Sequence, residues 1–100
     1  MGKLVRDRIP DIIRADGGDP LIRVLPRDEY RLALLDKLVE ESTEARDAPS
    51  GDLLGELADV WEVLAAILAD RAWTTDHLRD AADAKRVERG GFQQRLWLEG

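Results

Sequence analysis

The chain of 100 residues has no cysteine and a single histidine, which excludes disulfides, thiolate metal centres and a histidine-rich zinc site. Without cysteine, and with no serine placed to partner the lone His77, a nucleophile triad is excluded on residue types. No apolar run reaches transmembrane length and no signal-peptide pattern opens the chain, so the expectation is a soluble cytoplasmic protein with no membrane partner. There is no phosphate-cradling glycine loop, no strand–helix alternation, no internal repeat and no low-complexity tract.

What the chain does have is charge. Charged residues make up 36% of it, and the net charge of -6 hides an asymmetry: +1 over residues 1–31, -9 over 32–84 and +2 over 85–100. A duplex-binding protein would present a basic face, so no nucleic-acid partner is expected. An acidic middle with basic ends suits a cation held on the acids and an anionic ligand reached by the ends. One hundred residues allow one small domain with a modest core.

The stretch from Lys37 to Glu62 reads helix, break, helix. Asp47-Ala-Pro-Ser-Gly51 supplies the break, with Pro49 stopping one helix and Ser50 expected to cap the next. Folded back as an antiparallel hairpin centred on Ser50, facing residues have numbers that total about 100. Glu41 then meets Asp59, and Glu44 meets Glu56; within each helix the two acids stand three apart and share a face. Two bare carboxylates about 5 Å apart repel by roughly 3 kcal/mol at an effective dielectric of about 20. Four of them must splay into water, take up protons or hold a cation.

Helical phase sharpens this. At 100° per residue, Leu34, Leu35, Leu38, Ser42 and Ala45 form one stripe, with Glu41 just inside its edge and Glu40 pointing to solvent. On the following helix Leu53, Leu57, Val60, Trp61, Leu64 and Leu68 form the main stripe; Glu56 and Asp59 lie on a flank shared with Val63 and Ile67. A helix apolar on two sides must be covered on two sides.

Elsewhere, a short helix is expected from Ile9 to Asp16, ended by Gly17-Gly18, and the long helix from Asp28 to Arg46. Leu21–Leu25 between two prolines reads as an extended segment, which could pair with the alternating tail around Arg95–Leu98 as a small two-stranded β-ribbon. A fourth helix, from Asp76 to Arg89 with Thr74 or Thr75 as cap, carries Lys85 and Arg89 on one stripe with Leu78 and Ala82. Those cations could equally snorkel at a helix end that favours positive charge. Lys3, Arg6 and Arg8 read, by composition alone, as a solvated, charged start. Trp61 and Phe92 read as core, and His77 as an exposed first-turn residue. The fold class is all-α, four helices built on a helical hairpin.

Glu41-Ser-Thr-Glu44 followed by Glu56-Leu-Ala-Asp59 resembles the paired-acid signature of the all-α nucleoside triphosphate pyrophosphohydrolase superfamily, which includes MazG-like proteins and phosphoribosyl-ATP pyrophosphohydrolase. Lys3-Leu-Val-Arg-Asp-Arg-Ile-Pro10 and Lys85-Arg-Val-Glu-Arg-Gly-Gly-Phe92 resemble a subgroup of short, single-domain, house-cleaning pyrophosphatases, and the likeness spans nearly the whole chain. The resemblance implies that Glu41, Glu44, Glu56 and Asp59 hold Mg²⁺, with Mn²⁺ an alternative suited to the same hard oxygen ligands. It implies that Glu41 and Glu44 serve the catalytic step, and that Lys85, Arg89, Lys3, Arg6 and Arg8 contact phosphates. It further implies a homodimer or homotetramer hydrolysing a nucleoside triphosphate to monophosphate and pyrophosphate. The gap of eleven residues between the acid pairs is short for the family. The rival readings are phosphoribosyl-ATP hydrolysis and a non-catalytic, nucleotide-sensing helical dimer.

Overall fold

A computed structural model describes residues 2–100. The chain is all-helical: α1 spans Ile9–Ala15, α2 Arg27–Asp47, α3 Leu53–Asp70 and α4 Thr75–Arg89, with a 3₁₀ turn at Ser50–Asp52 between α2 and α3. No helix is long and apolar enough to cross a membrane among the described residues.

Each helix boundary has a local cause. Pro10 sits in the first turn of α1, where its missing N–H costs nothing, and Gly17 accepts the left-handed conformation (φ 89°) that closes the helix. Pro26 precedes α2, and Asp28 and Glu29 occupy the positive end of its dipole. Ser50 does not cap α3 with its side chain. The backbone does that work, as the Asp52 N–H donates to the Pro49 carbonyl at 2.9 Å and the 3₁₀ turn feeds directly into α3. The end of α3 is a Schellman turn: the Trp73 N–H donates to the Leu68 carbonyl and the Ala72 N–H to that of Ala69, with Ala72 left-handed at φ 59°. Thr74 then caps α4 in a reciprocal arrangement with His77. The Thr74 hydroxyl accepts from the His77 N–H at 3.2 Å, and His77 Nδ1 accepts from the Thr74 N–H at 2.9 Å.

The body of the molecule is the antiparallel α2–α3 hairpin. Its core is small: Leu34 (3% exposed), Val63 and Leu68 are the buried apolar residues. At the end away from the turn, Asp70 is clamped by Arg31 at 2.7 Å, with Arg27 and Arg71 each at 3.9 Å. That cluster offsets an acid placed at the negative end of α3, and it ties the start of α2 to the end of α3.

The main apolar stripe of α3 is only partly covered: Leu68 is buried and Val60 and Leu64 are half-buried. The acid-bearing flank, with Val63, turns towards α2, while Leu53, Leu57 and Trp61 are left 40%, 48% and 52% exposed. Phe92, read as core, is likewise on the surface. The two-stranded ribbon does not form among the described residues: 19–26 and 94–100 run as irregular chain. Leu21, Val24, Leu96 and Leu98 are all largely exposed. An isolated two-stranded ribbon has no sheet or helix to cover its apolar face and is marginal in water. α4 has no extended packing against the hairpin. Its apolar residues are mostly alanine, and of its larger ones Leu78 is half-buried and Val87 exposed.

Candidate functional site

The hairpin brings the predicted acids together. Carboxylate oxygens of Glu41 from α2 and of Glu56 and Asp59 from α3 all lie within 4.8 Å of one another. Glu41 is the one buried charged residue of the described chain, at 8% exposure, and it sits beside the core rather than at its margin. Its Oε1 is 3.4 Å from Lys37 Nζ, one helical turn earlier, and Lys37 also reaches Glu40 at 3.3 Å. The other oxygen, Oε2, is buried with no hydrogen-bond partner, and the same holds for Oε2 of Glu56. Buried carboxylate oxygens without donors are costly, and two on members of one acidic cluster are what a cation would satisfy. Because all the ligand atoms are hard oxygens, the set fits Mg²⁺ or Mn²⁺.

Glu44 stands beside this trio rather than within it. It is exposed, yet its carboxyl is held above its ordinary range. The main cause is a hydrogen bond to Glu41, which the protonated form of Glu44 donates; the negative charges of Glu41, Glu40 and Glu56 add to it. Glu44 thus feels the charge of the cluster without joining it.

A cavity of about 470 Å³ opens next to the acids, bordered by Glu41, Glu44 and Asp59 on one side and by the N-terminal segment on the other. A space of that size accommodates a small ligand. Arg6 reaches across to Asp59, donating from Nη2 to Oδ1 at 2.7 Å, and Lys3 lines the same wall. Leu4, Val5 and Ile9 are half-buried there and share the cavity with Leu34 and Val63, which gives the segment an apolar footing on the hairpin.

The cations expected from the sequence divide accordingly. Lys3 and Arg6 line the cavity; Arg8 is exposed and does not. Lys85 and Arg89 are also exposed and lie outside the cavity lining, because α4 departs from the hairpin after the turn at Ala72. Three residues of the cavity carry roles the sequence reading did not assign. Lys37 braces Glu41, and its spacing to Glu40 and Glu41 was the available signal. Glu62 continues the three-residue ladder of Glu56 and Asp59 into the cavity. Tyr30 also lines it, its phenol held above its ordinary value, mainly by burial and further by Asp70 and Asp7; nothing local marks it.

No protein-family model matches the chain, and no solved structure matches it. Over 52 residues it is 56% identical to an uncharacterized protein of Mycolicibacterium smegmatis. The match covers 52% of this chain and 53% of that protein, so the chain matches about half the length of its relative.

Proposed function

We propose that the protein is a divalent-cation-dependent nucleoside triphosphate pyrophosphohydrolase of the cytoplasm, related to the MazG-like enzymes. The observation that carries this reading is the convergence of Glu41, Glu56 and Asp59, two of them with buried oxygens lacking a partner, beside a cavity walled by Lys3 and Arg6. Those three acids would hold Mg²⁺ or Mn²⁺, which when bound supplies Lewis-acid polarisation of phosphate oxygens.

The chain's own groups account for the remaining steps. Glu44 orients a water for in-line attack and takes its proton. It lines the cavity beside the three cation-holding acids. The water oxygen forms a bond to the α-phosphorus as the bond to the bridging α–β oxygen breaks, and pyrophosphate leaves with that electron pair. Arg6, Lys3 and Lys37 line the cavity and offset the leaving charge. Lys85 and Arg89 join them only where assembly brings α4 to the cavity.

Assembly is part of the proposal. The chain exposes 8896 Å², whereas a compact monomer of 11.2 kDa exposes about 5,700 Å². Its radius of gyration is 17.2 Å against about 13 Å for a compact domain of this length. The excess surface is several times the roughly 800 Å² per partner that a stable interface buries. The Leu53–Leu57–Trp61 stripe on α3 is the face on which a second hairpin would complete a four-helix bundle, giving a homodimer.

The test is a pyrophosphate-release assay over normal and modified nucleoside triphosphates, with and without Mg²⁺. Mg²⁺-dependent release is expected with at least one of them. Release from phosphoribosyl-ATP alone would move the activity to histidine synthesis. Nucleotide binding without release from any substrate would leave a sensing dimer in its place.

A further inference from the structure

Asp59 differs from the other two acids of the cluster in what holds it. Glu41 is braced by Lys37 from its own helix, and Glu56 has no ion-pair partner among the described residues. Asp59 is paired with Arg6, fifty-three residues away in the chain, at 2.7 Å. Arg6 belongs to the irregular segment before α1, which rests on the hairpin through Leu4, Val5 and Ile9 but is not part of either hairpin helix.

We infer that Arg6 is a counter-ion switch: it occupies Asp59 in the ion-free site, releases it when a divalent cation is bound, and then turns its guanidinium to an anionic ligand in the same cavity. The inference rests on the acid cluster being a cation site. Three features carry it. The Arg6–Asp59 pair is open to solvent on both sides, with side chains 57% and 42% exposed, so separating it is cheap. The clamp on Asp70, whose side chain is 11% exposed, is by contrast a fixture of the fold. A cation sharing Asp59 with Glu41 and Glu56 would place like charge against the guanidinium, within the 4.8 Å span of the cluster. Arg6 lines the cavity, so once freed its planar fork can donate to two phosphate oxygens without leaving the site. Cation and anion should therefore strengthen each other's binding, each favouring the state in which Arg6 has left Asp59.

The experiment titrates Mn²⁺ alone into the ion-free full-length protein, followed by electron paramagnetic resonance, and repeats the titration in inorganic phosphate. Arg6→Gln should bind Mn²⁺ about three- to tenfold more tightly than wild type, from the lost pair and the lost like-charge repulsion. Arg6→Lys, which keeps a cation for Asp59, should stay near wild type. Arg14→Gln removes the same charge from α1, where Arg14 pairs with Asp11, and should shift affinity less than about twofold. Phosphate should tighten Mn²⁺ binding in wild type and not in Arg6→Gln. Equal or weaker Mn²⁺ binding in Arg6→Gln overturns the switch and leaves the cation site standing. No Mn²⁺ bound by any variant overturns both.

Discussion

Replacing Glu41 with glutamine separates a ligand from a structural ion pair by the sign of its effect. The substitution keeps the shape of the side chain and removes one charge from a residue 8% exposed. In the ion-free protein that charge faces Glu56 and Asp59 with oxygens as far as 4.8 Å apart, each a repulsion of about 3 kcal/mol at an effective dielectric of about 20. Against this stands Lys37 at 3.4 Å, an attraction of about 5 kcal/mol on the same scale. The two nearly cancel, and the unpartnered Oε2 adds a desolvation cost that the neutral amide reduces. Lys37 still has Glu40 at 3.3 Å. Ion-free Glu41→Gln should therefore match wild type in stability or exceed it by about 1 kcal/mol, which is a Tm rise of about 5 °C for a chain of this size.

Adding the cation reverses the order. Wild type should gain about 2.7 kcal/mol at a cation concentration one hundred times its Kd. Glu41→Gln should lose most of that gain, along with at least about tenfold in turnover. Differential scanning fluorimetry with and without Mg²⁺, beside the pyrophosphate assay, reads both effects. If the Lys37–Glu41 pair were a structural fixture, removing one partner would cost about 3–5 kcal/mol. A Tm falling by more than about 10 °C without the ion, with an undiminished rise on adding it, would refute the reasoning.

Other outcomes follow from the same geometry. The Glu44 carboxyl is held above its ordinary 4.5, so its contribution to ion-free stability is fully present below that value and is lost as pH rises through the folded-state value. Cation affinity should increase over the same window with proton release, seen as buffer-dependent enthalpy in titration calorimetry; Glu44→Gln should abolish the release. Asp70→Asn removes the charge-assisted bonds that join α2 to α3 and should cost about 1.5–3 kcal/mol, a Tm drop of roughly 10 °C, by thermal circular dichroism. Leu57→Glu places a charge in the exposed α3 stripe and should convert the proposed dimer to a monomer with its helical content retained, by light scattering and circular dichroism.

The helical hairpin and its acid cluster were legible along the chain because both rest on short-range periodicity. A spacing of three puts Glu56 beside Asp59 and Glu41 beside Glu44 whatever the rest of the molecule does. Pro49 and Gly51 then set the reversal that brings Glu41 to the height of Asp59. The helix limits at Gly17, Thr74 and Gly90 were readable for the same local reason.

Tertiary packing alone decided which way α3 faces. With apolar residues on two flanks, either could have met α2. The flank with Val63, Glu56 and Asp59 does so together with Leu68 of the main stripe, and Leu57 and Trp61 are left outside. Periodicity reports how residues are spaced around a helix; its rotation about its own axis depends on which side chains interlock with the neighbour. Arg6 meets Asp59 across fifty-three residues because Leu4, Val5 and Ile9 settle against the hairpin. Lys85 and Arg89 stay away because α4 carries too little apolar surface to be held there. Contacts between distant segments depend on competition for buried surface, a property of the whole assembly that no short stretch of chain contains.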